Sequence, residues 1–260
     1  MIHSTTQASP RDFPSFSAIV AAAGAGVRMR ARRKKPFLLL DNVPILLHTL
    51  WRLRQARGCE GIVLAVHPED FERQPGSWAE SLKTDFGVTA IVAGGATRQA
   101  SVLAALAATS PDVPLVLTHD AVRPLVRVEV IEAVAARADE CGAAIAAAPA
   151  VATVKEVDAD GFIRQTLPRE RLWLAQTPQG FRRELLFEAH KRALDDGFVG
   201  TDDALLVERT GHRVAVVEDS PDNIKITTPE DLVIAEAILL WQRAAGIRGS
   251  ELPPVRSTPD

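Results

Sequence analysis

Cysteine is scarce in this chain. Of its 260 residues only Cys59 and Cys141 are cysteines. They stand far apart and no C-x-x-C occurs, so a disulfide framework is not expected. The six histidines form no H-x-H or H-x-x-x-H pair, which argues against a zinc site. Long apolar runs are also missing. Nothing approaches the ~20 residues needed to span a bilayer, and the first seventeen residues contain no apolar signal-peptide segment. The expectation is a cytosolic protein with no membrane contact. A basic excess is lacking too: the formal charge is −3 and the pI about 6.1, whereas a general nucleic-acid binder normally carries a positive surplus. Finally, G-x-x-x-x-G-K-[ST] does not occur, so the chain has no P-loop.

What is present starts at residues 18–40, AIVAAAGAGVRMRARRKKPFLLL. The apolar run 18–21 suits a strand buried on both faces. Ala22, Ala23, Gly24, Ala25 and Gly26 follow, with no side chain larger than a methyl, so the backbone can approach a ligand and turn its N–H groups toward an anion. Arg28, Arg30, Arg32, Arg33, Lys34 and Lys35 come next. In a chain of net negative charge, so local a concentration of cations reads as a site. A dinucleotide fold would need a third glycine where Met29 stands, and strand two ends in His67 and Pro68 rather than in a ribose-binding acid. A loop holding a nucleoside triphosphate, with Arg and Lys neutralising its phosphates, fits better. The plain alternative is a tight turn followed by a solvated basic face.

With 47% hydrophobic residues the chain can bury a full core. Residues 1–16 are expected to be a flexible leader, 17–245 an α/β domain, and 246–260 a flexible tail. Strand segments at 61–66, 88–93, 114–118 and 143–148 alternate with helical segments at 44–57, 98–108 and 128–140, while 69–83 is poorly periodic. This alternation predicts a doubly wound, mostly parallel sheet with ligands at the carboxyl ends of its strands. The loops that then meet on one edge are 22–35, GGATRQAS at 94–101 and HDAVRP at 119–124. Asp120 could hold a phosphate-bridging divalent cation or serve as a helix cap or turn residue. Arg123 could meet a phosphate.

The alternation breaks at 150–173, where two alternating segments flank Asp158, Asp160 and Gly161. That pattern predicts a protruding β-hairpin arm. Because a lone ribbon is marginal in water, a second subunit is expected to cover it. The chain returns through a helix at 183–194, the TDDALLVER segment, a strand at 213–217 and a last helix capped by Thr228 with Pro229 at its first position.

Taken in order, AAAGAGVRM with Lys35, GGATRQAS, HDAVRP, TLPR, AQTPQGF, GTDDA and DNIKITTPEDL resemble the 2-C-methyl-D-erythritol 4-phosphate cytidylyltransferases of the non-mevalonate isoprenoid pathway, across nearly all of 18–240. The resemblance implies a homodimeric nucleotidyltransferase fold joined through the arm, and a Mg²⁺-dependent (or other divalent-cation-dependent) reaction of CTP with methylerythritol phosphate. It places Ala22, Ala23 and Gly24 against CTP, with Gly95, Ala96 and Ser101 reading its base and Arg98 also among the CTP-binding residues. It makes Arg28, Lys35 and Lys225 the catalytic cations and puts Asp120 near the metal. Arg123, Thr153, Arg169, Thr177 and Thr201 would surround the second substrate, some of them across the dimer. The chain departs from the family pattern at Val27 and at Pro36. Ribitol 5-phosphate cytidylyltransferase is the near rival; a non-catalytic nucleotide-binding regulator is the distant one, opposed by the retention of Arg28, Lys35, Asp120 and Lys225.

Overall fold

A computed structural model describes residues 13–24, 35–72 and 76–254, without the side chains of Lys35 and Ser77. In chain order the elements are β1 (Phe16–Ala22), the two-residue strands β2 (Leu39–Leu40) and β3 (Val43–Pro44), α1 (Ile45–Gln55), β4 (Cys59–Val66), α2 (Pro68–Glu72), α3 (Gly76–Phe86), β5 (Val88–Ala93), α4 (Arg98–Ala107), β6 (Leu115–Asp120), α5 (Val128–Cys141) and β7 (Ala143–Pro149). They continue with β8 (Val154–Val157), β9 (Ile163–Leu167), β10 (Trp173–Arg182), α6 (Arg183–Asp195), α7 (Asp203–Arg209), β11 (Ala215–Glu218) and α8 (Pro229–Ala244).

Among the described residues seven strands form the central sheet, in the order β11-β7-β10-β6-β1-β4-β5. β1 is parallel to both β4 and β6, and β7 to β11, while β10 runs antiparallel to its two neighbours. Alternation along β1 explains why both faces are covered. Ala18 and Val20 meet α1, α3 and α5 on one side, and Ile19 meets α4, α6 and α7 on the other. A smaller cluster packs α8 through Ala235 and Leu239 on Leu40, Ile45, Leu125 and Ile226. Thr228 caps α8 as expected. Its hydroxyl accepts from Asp231 N–H, Asp231 reaches back to the Thr228 N–H, and Pro229 fills the first position.

Several expectations need correction. Residues 69–83 are largely helical, in α2 and α3, where Trp78, Leu82 and Phe86 bury an i, i+4, i+8 stripe. The expected leader runs one residue too far, since Phe16 opens β1 fully buried, its N–H bonded to Gly58 O at 2.8 Å. The expected tail starts too early: Arg248 pairs with Glu129 and Glu132, Ser250 is buried, and Leu252 packs on the core. β10 was not anticipated. It enters the sheet between β6 and β7, and its register slips between Ala175 and Gln179, an irregularity that re-aims side chains in the way β-bulges do beside active sites.

The hairpin is present as β8 and β9, which among the described residues pair only with each other. Asp158 Oδ1 accepts from the N–H groups of Asp160 and Phe162, and Gly161 takes a positive φ of 86° that favours glycine. Val151, Val157, Phe162 and Ile163 are exposed on this arm. Among the described residues no helix is long and apolar enough to cross a membrane.

Candidate active site

β1 ends at Ala22, β4 at Val66, β5 at Ala93 and β6 at Asp120. These carboxyl ends lie together because the chain leaves β1 toward β4 on one side and returns to β6 on the other, the switch point where open α/β sheets bind ligands. A cavity of about 590 Å³ opens there, well within the size range of small-molecule sites. Ala22, Ala23, Gly24, Gly95, Ala96, Arg98, Ser101, Asp120 and Lys225 all line it. A second cavity of about 230 Å³ adjoins it, lined by Arg123, Thr177 and Thr201 among others. Arg98, Asp120 and Lys225 belong to both walls.

The first wall is shaped by close backbone approach. A Cβ on Gly94 would stand 2.3 Å from the Ala23 methyl and 2.9 Å from Ser101 Oγ, and one on Gly95 would stand 2.5 Å from Ala100 Cβ. A side chain at Gly94 would push the two loops apart, and one at Gly95 would push its own turn away from the start of α4. The Ser101 hydroxyl is committed to this turn, donating to Thr97 O at 2.9 Å and accepting from Gly95 N–H at 3.1 Å. Thr97 caps α4 by accepting from Ala100 N–H.

The shared wall is an alternating array of charges. Asp120 is 6% exposed. Its Oδ1 accepts from Arg98 Nε at 3.1 Å, and its Oδ2 lies 2.9 Å from Lys225 Nζ and 3.5 Å from Arg123 Nε. Burial pushes the Asp120 carboxyl up, but Arg98, then Lys225 and Arg123, outweigh it and hold the group far below the usual carboxylate range. Arg98 also donates from Nη1 to Asp203 Oδ2 at 2.7 Å. Asp203 is 1% exposed; burial raises its pKa, yet Arg98, His190 and Thr118 bring it down to about 2. Three cations thus surround two carboxylates, an excess of one positive charge within this array; Asp202 is a further carboxylate on the wall of the smaller cavity.

Behind this array, His119 is fully buried and burial lowers its pKa to about 4. The neutral ring then has a defined tautomer. Nε2–H donates to Arg123 O at 3.1 Å, and Nδ1 accepts from the Thr177 hydroxyl at 3.0 Å. That hydroxyl also accepts from Asp120 N–H at 3.1 Å, so Thr177 is tied to the end of β6 as well as lining the smaller cavity. Asn223 Nδ2 donates to Thr177 O, and Arg123 Nη1 donates to Asn223 O at 2.6 Å.

Not every expected residue converges. Arg28 lies outside the described residues. Lys35 opens a 3-10 turn over Lys35–Phe37 whose next residue, Pro36, lines the larger cavity, but the lysine side chain is not among those described. Thr153 and Arg169 line neither cavity; Arg169 Nη1 donates to Val151 O at 2.8 Å on the arm. Conversely, Gln176, Gln179, Asp202 and Asp203 were not singled out from the sequence. Asp202 caps α7 and is held by Gln179 Nε2 at 2.8 Å. The available signal is the double acid of GTDDA, Asp202 and Asp203, directly after Thr201.

For a divalent cation the donor set is thin. Among the described residues Asp120 is the only acid lining the larger cavity, and no three His, Cys, Asp or Glu side chains converge. One carboxylate that is ionised at neutral pH fits Mg²⁺ carried in on phosphate oxygens, because that ion is commonly held by one or two carboxylates together with substrate phosphates and waters.

Comparison with known proteins gives the family. The sequence model of the family described as IspD: 2-C-methyl-D-erythritol 4-phosphate cytidylyltransferase matches residues 16–240. The 2-C-methyl-D-erythritol 4-phosphate cytidylyltransferase of Syntrophus aciditrophicus is 46% identical over 231 residues, covering 87% of this chain and 96% of its own. Among solved structures, the cytidylyltransferase of the same name from Thermus thermophilus superposes with a TM-score of 0.72 at 36% identity, covering 86% of this chain and 98% of its own. The 4-diphosphocytidyl-2C-methyl-D-erythritol synthase of Anaerococcus prevotii gives 0.76 at 31%, covering 88% and 100%.

Proposed function

Since this chain belongs to the 2-C-methyl-D-erythritol 4-phosphate cytidylyltransferase family, we propose that its larger cavity holds CTP and its smaller one 2-C-methyl-D-erythritol 4-phosphate, with reaction across the wall they share. The protein is a cytidylyltransferase that moves CMP from CTP to the phosphate of 2-C-methyl-D-erythritol 4-phosphate and releases pyrophosphate. The observation that carries the division of labour is the wall of Arg98, Asp120 and Lys225, common to both cavities and positive by one charge with Arg123 and Asp203 included.

The acceptor phosphate is anionic near neutral pH, so its oxygen attacks the α-phosphorus without a general base. What limits the step is charge, as two phosphate-bearing substrates meet and negative charge builds on the α-phosphate oxygens and the departing pyrophosphate. Lys225 is 41% exposed and supplies a compact cation at the junction. Arg123, 12% exposed, faces the smaller cavity with its fork anchored to Asn223. Backbone at residues 22–24 and 94–96 takes the nucleotide, with Arg28 and Lys35 completing the cationic cradle. Asp120 would hold a divalent cation such as Mg²⁺ arriving with the nucleotide, and that ion would supply further charge neutralisation.

The arm's exposed apolar residues support a homodimer, in which Thr153 and Arg169 serve the neighbouring subunit's smaller cavity. Water-soluble phosphorylated substrates suit a cytosolic enzyme. A pyrophosphate-release assay with Mg²⁺, CTP and either methylerythritol phosphate or ribitol 5-phosphate tests the assignment. Turnover with the first and at most trace turnover with the second is expected. Preference for ribitol 5-phosphate, or equal use of ATP and GTP, would overturn the assignment of the two cavities.

A further inference from the structure

Among the described residues Arg98 is the one arginine that lines both cavities, and an arginine on a flexible stem needs something to hold it there. Two carboxylates from different elements do so: Asp120 at the end of β6 takes Nε, and Asp203 at the start of α7 takes Nη1. Asp203 lines neither cavity. Its Oδ2 accepts from Arg98 and from the Thr118 hydroxyl at 2.8 Å, and its Oδ1 accepts from His190 Nε2 at 3.0 Å. With three donors on two oxygens and 1% exposure, it is enclosed by protein on every side. Such a group reaches the substrates only through Arg98.

We propose that Asp203 is a positioning residue for CMP transfer, holding the Arg98 guanidinium in the single orientation that serves both cavities and leaves Asp120 Oδ2 to Lys225. The inference rests on the assignment of the cavities to CTP and the acceptor phosphate. Without Asp203, Arg98 is free to turn its fork onto both oxygens of Asp120, the preferred geometry of an arginine with a lone carboxylate. Lys225 then loses its fixed place. The effect is on reaction geometry, at two substrates together, rather than on folding alone.

A double-mutant cycle separates these roles. Asp203→Asn keeps the side-chain shape and removes the charge. It is expected to lower kcat by ~10- to 10²-fold, the scale of a small misplacement at a reacting centre, whereas the same substitution made in Arg98→Ala should change kcat by less than about twofold. Equal losses in both backgrounds, or an unchanged kcat in Asp203→Asn, would overturn the proposal. Should Asp203→Asn fail to fold, Thr118 gives a second reading: Thr118→Ser retains the hydroxyl on Oδ2 and should retain kcat, while Thr118→Val should not. Equal activity of those two variants would also overturn it. If the wild type itself failed to transfer CMP, the cavity assignment would fall. The coupling of Asp203 to Arg98 would then be read from CTP affinity by calorimetry across the same four proteins, with additive changes counting against it.

Discussion

Lys225 Nζ lies 2.9 Å from Asp120 Oδ2, yet the lysine side chain is 41% exposed and the aspartate 9%. The pair is therefore asymmetric: the carboxylate is fixed by three cations, and the lysine is the most exposed of them, against 25% for Arg98 and 12% for Arg123. Lys225→Ala should lower kcat by ~10²- to 10³-fold with a smaller change in KM, as for other preorganised transition-state donors. Its melting temperature should stay close to the wild type's, since Arg98 and Arg123 still neutralise Asp120. Asp120→Ala should behave differently, because it strands buried guanidinium groups; a loss of ~3 kcal/mol or more in urea unfolding is expected. Equal stability of the two variants would refute the asymmetry. The same kinetic assay on Lys35→Ala, with Lys34→Ala as a near-neutral control, checks the register of the basic loop.

Arg169 donates to its own arm backbone and lines neither of the two active-site cavities of its own protomer. If it serves the neighbouring site, mixing Arg169→Ala with Lys225→Ala subunits rebuilds one intact site in each mixed dimer, about a quarter of all sites after random exchange. Recovery of activity toward that level is expected in a co-expressed sample. No recovery, or an active monomer by light scattering, would end the cross-subunit role.

The legible parts of the molecule were those written in local sequence. The apolar run at 18–21, the small-residue loop and the turn glycines announce a buried strand feeding a phosphate-type loop, and the cavity is found at that strand's end. β10 was hidden because its pairing is wholly non-local and its periodicity is broken at Gln176–Pro178, where the register slips. Asp203 was hidden for a related reason: its meaning comes from Arg98, 105 residues away, and from His190 on another helix. Local pattern cannot show which of two adjacent acids caps a helix and which clamps an arginine.

The carboxyl-terminal segment repeats that lesson and carries a stability prediction. Arg248 Nη2 donates to Glu132 Oε1 at 2.7 Å, joining Arg57 on a carboxylate that is 4% exposed, while the Arg248 carbonyl accepts from buried Arg52 Nη1 at 2.8 Å. Ending the chain after Gly246 removes that acceptor and the Leu252 contact together. A loss of ~1–3 kcal/mol is expected, from a buried charged donor left unsatisfied. None of these residues lines either active-site cavity, so kcat and KM measured well below the transition should hold. Unchanged stability would return 247–252 to the role of a free tail.

Two buried histidines govern stability on the acid side. His48, 2% exposed, donates from Nε2 to Leu40 O, and burial lowers its pKa from 6.5 to about 4 despite that bond; His119 is lowered to about 4 for the same reason. In the unfolded chain both return to about 6.5, so between pH 6.5 and 4 the unfolded state binds protons that the native state refuses. Stability is therefore full above pH 6.5 and falls as pH drops toward 4, by roughly 3 kcal/mol for each histidine. Below that window the carboxylates continue the decline, because Asp203, at about 2, and Asp120 are held lower in the native state than in the unfolded one. Urea midpoints taken from pH 7 to pH 4.5 should fall steadily. His48→Gln, whose amide can still donate to Leu40 O, should remove about half of that slope without touching the active site, leaving His119 to account for the remainder. A flat profile over this range, or a slope in His48→Gln equal to the wild type's, would show that these rings are protonated in the native protein, and the tautomer assigned to His119 between Thr177 and Arg123 would have to be abandoned.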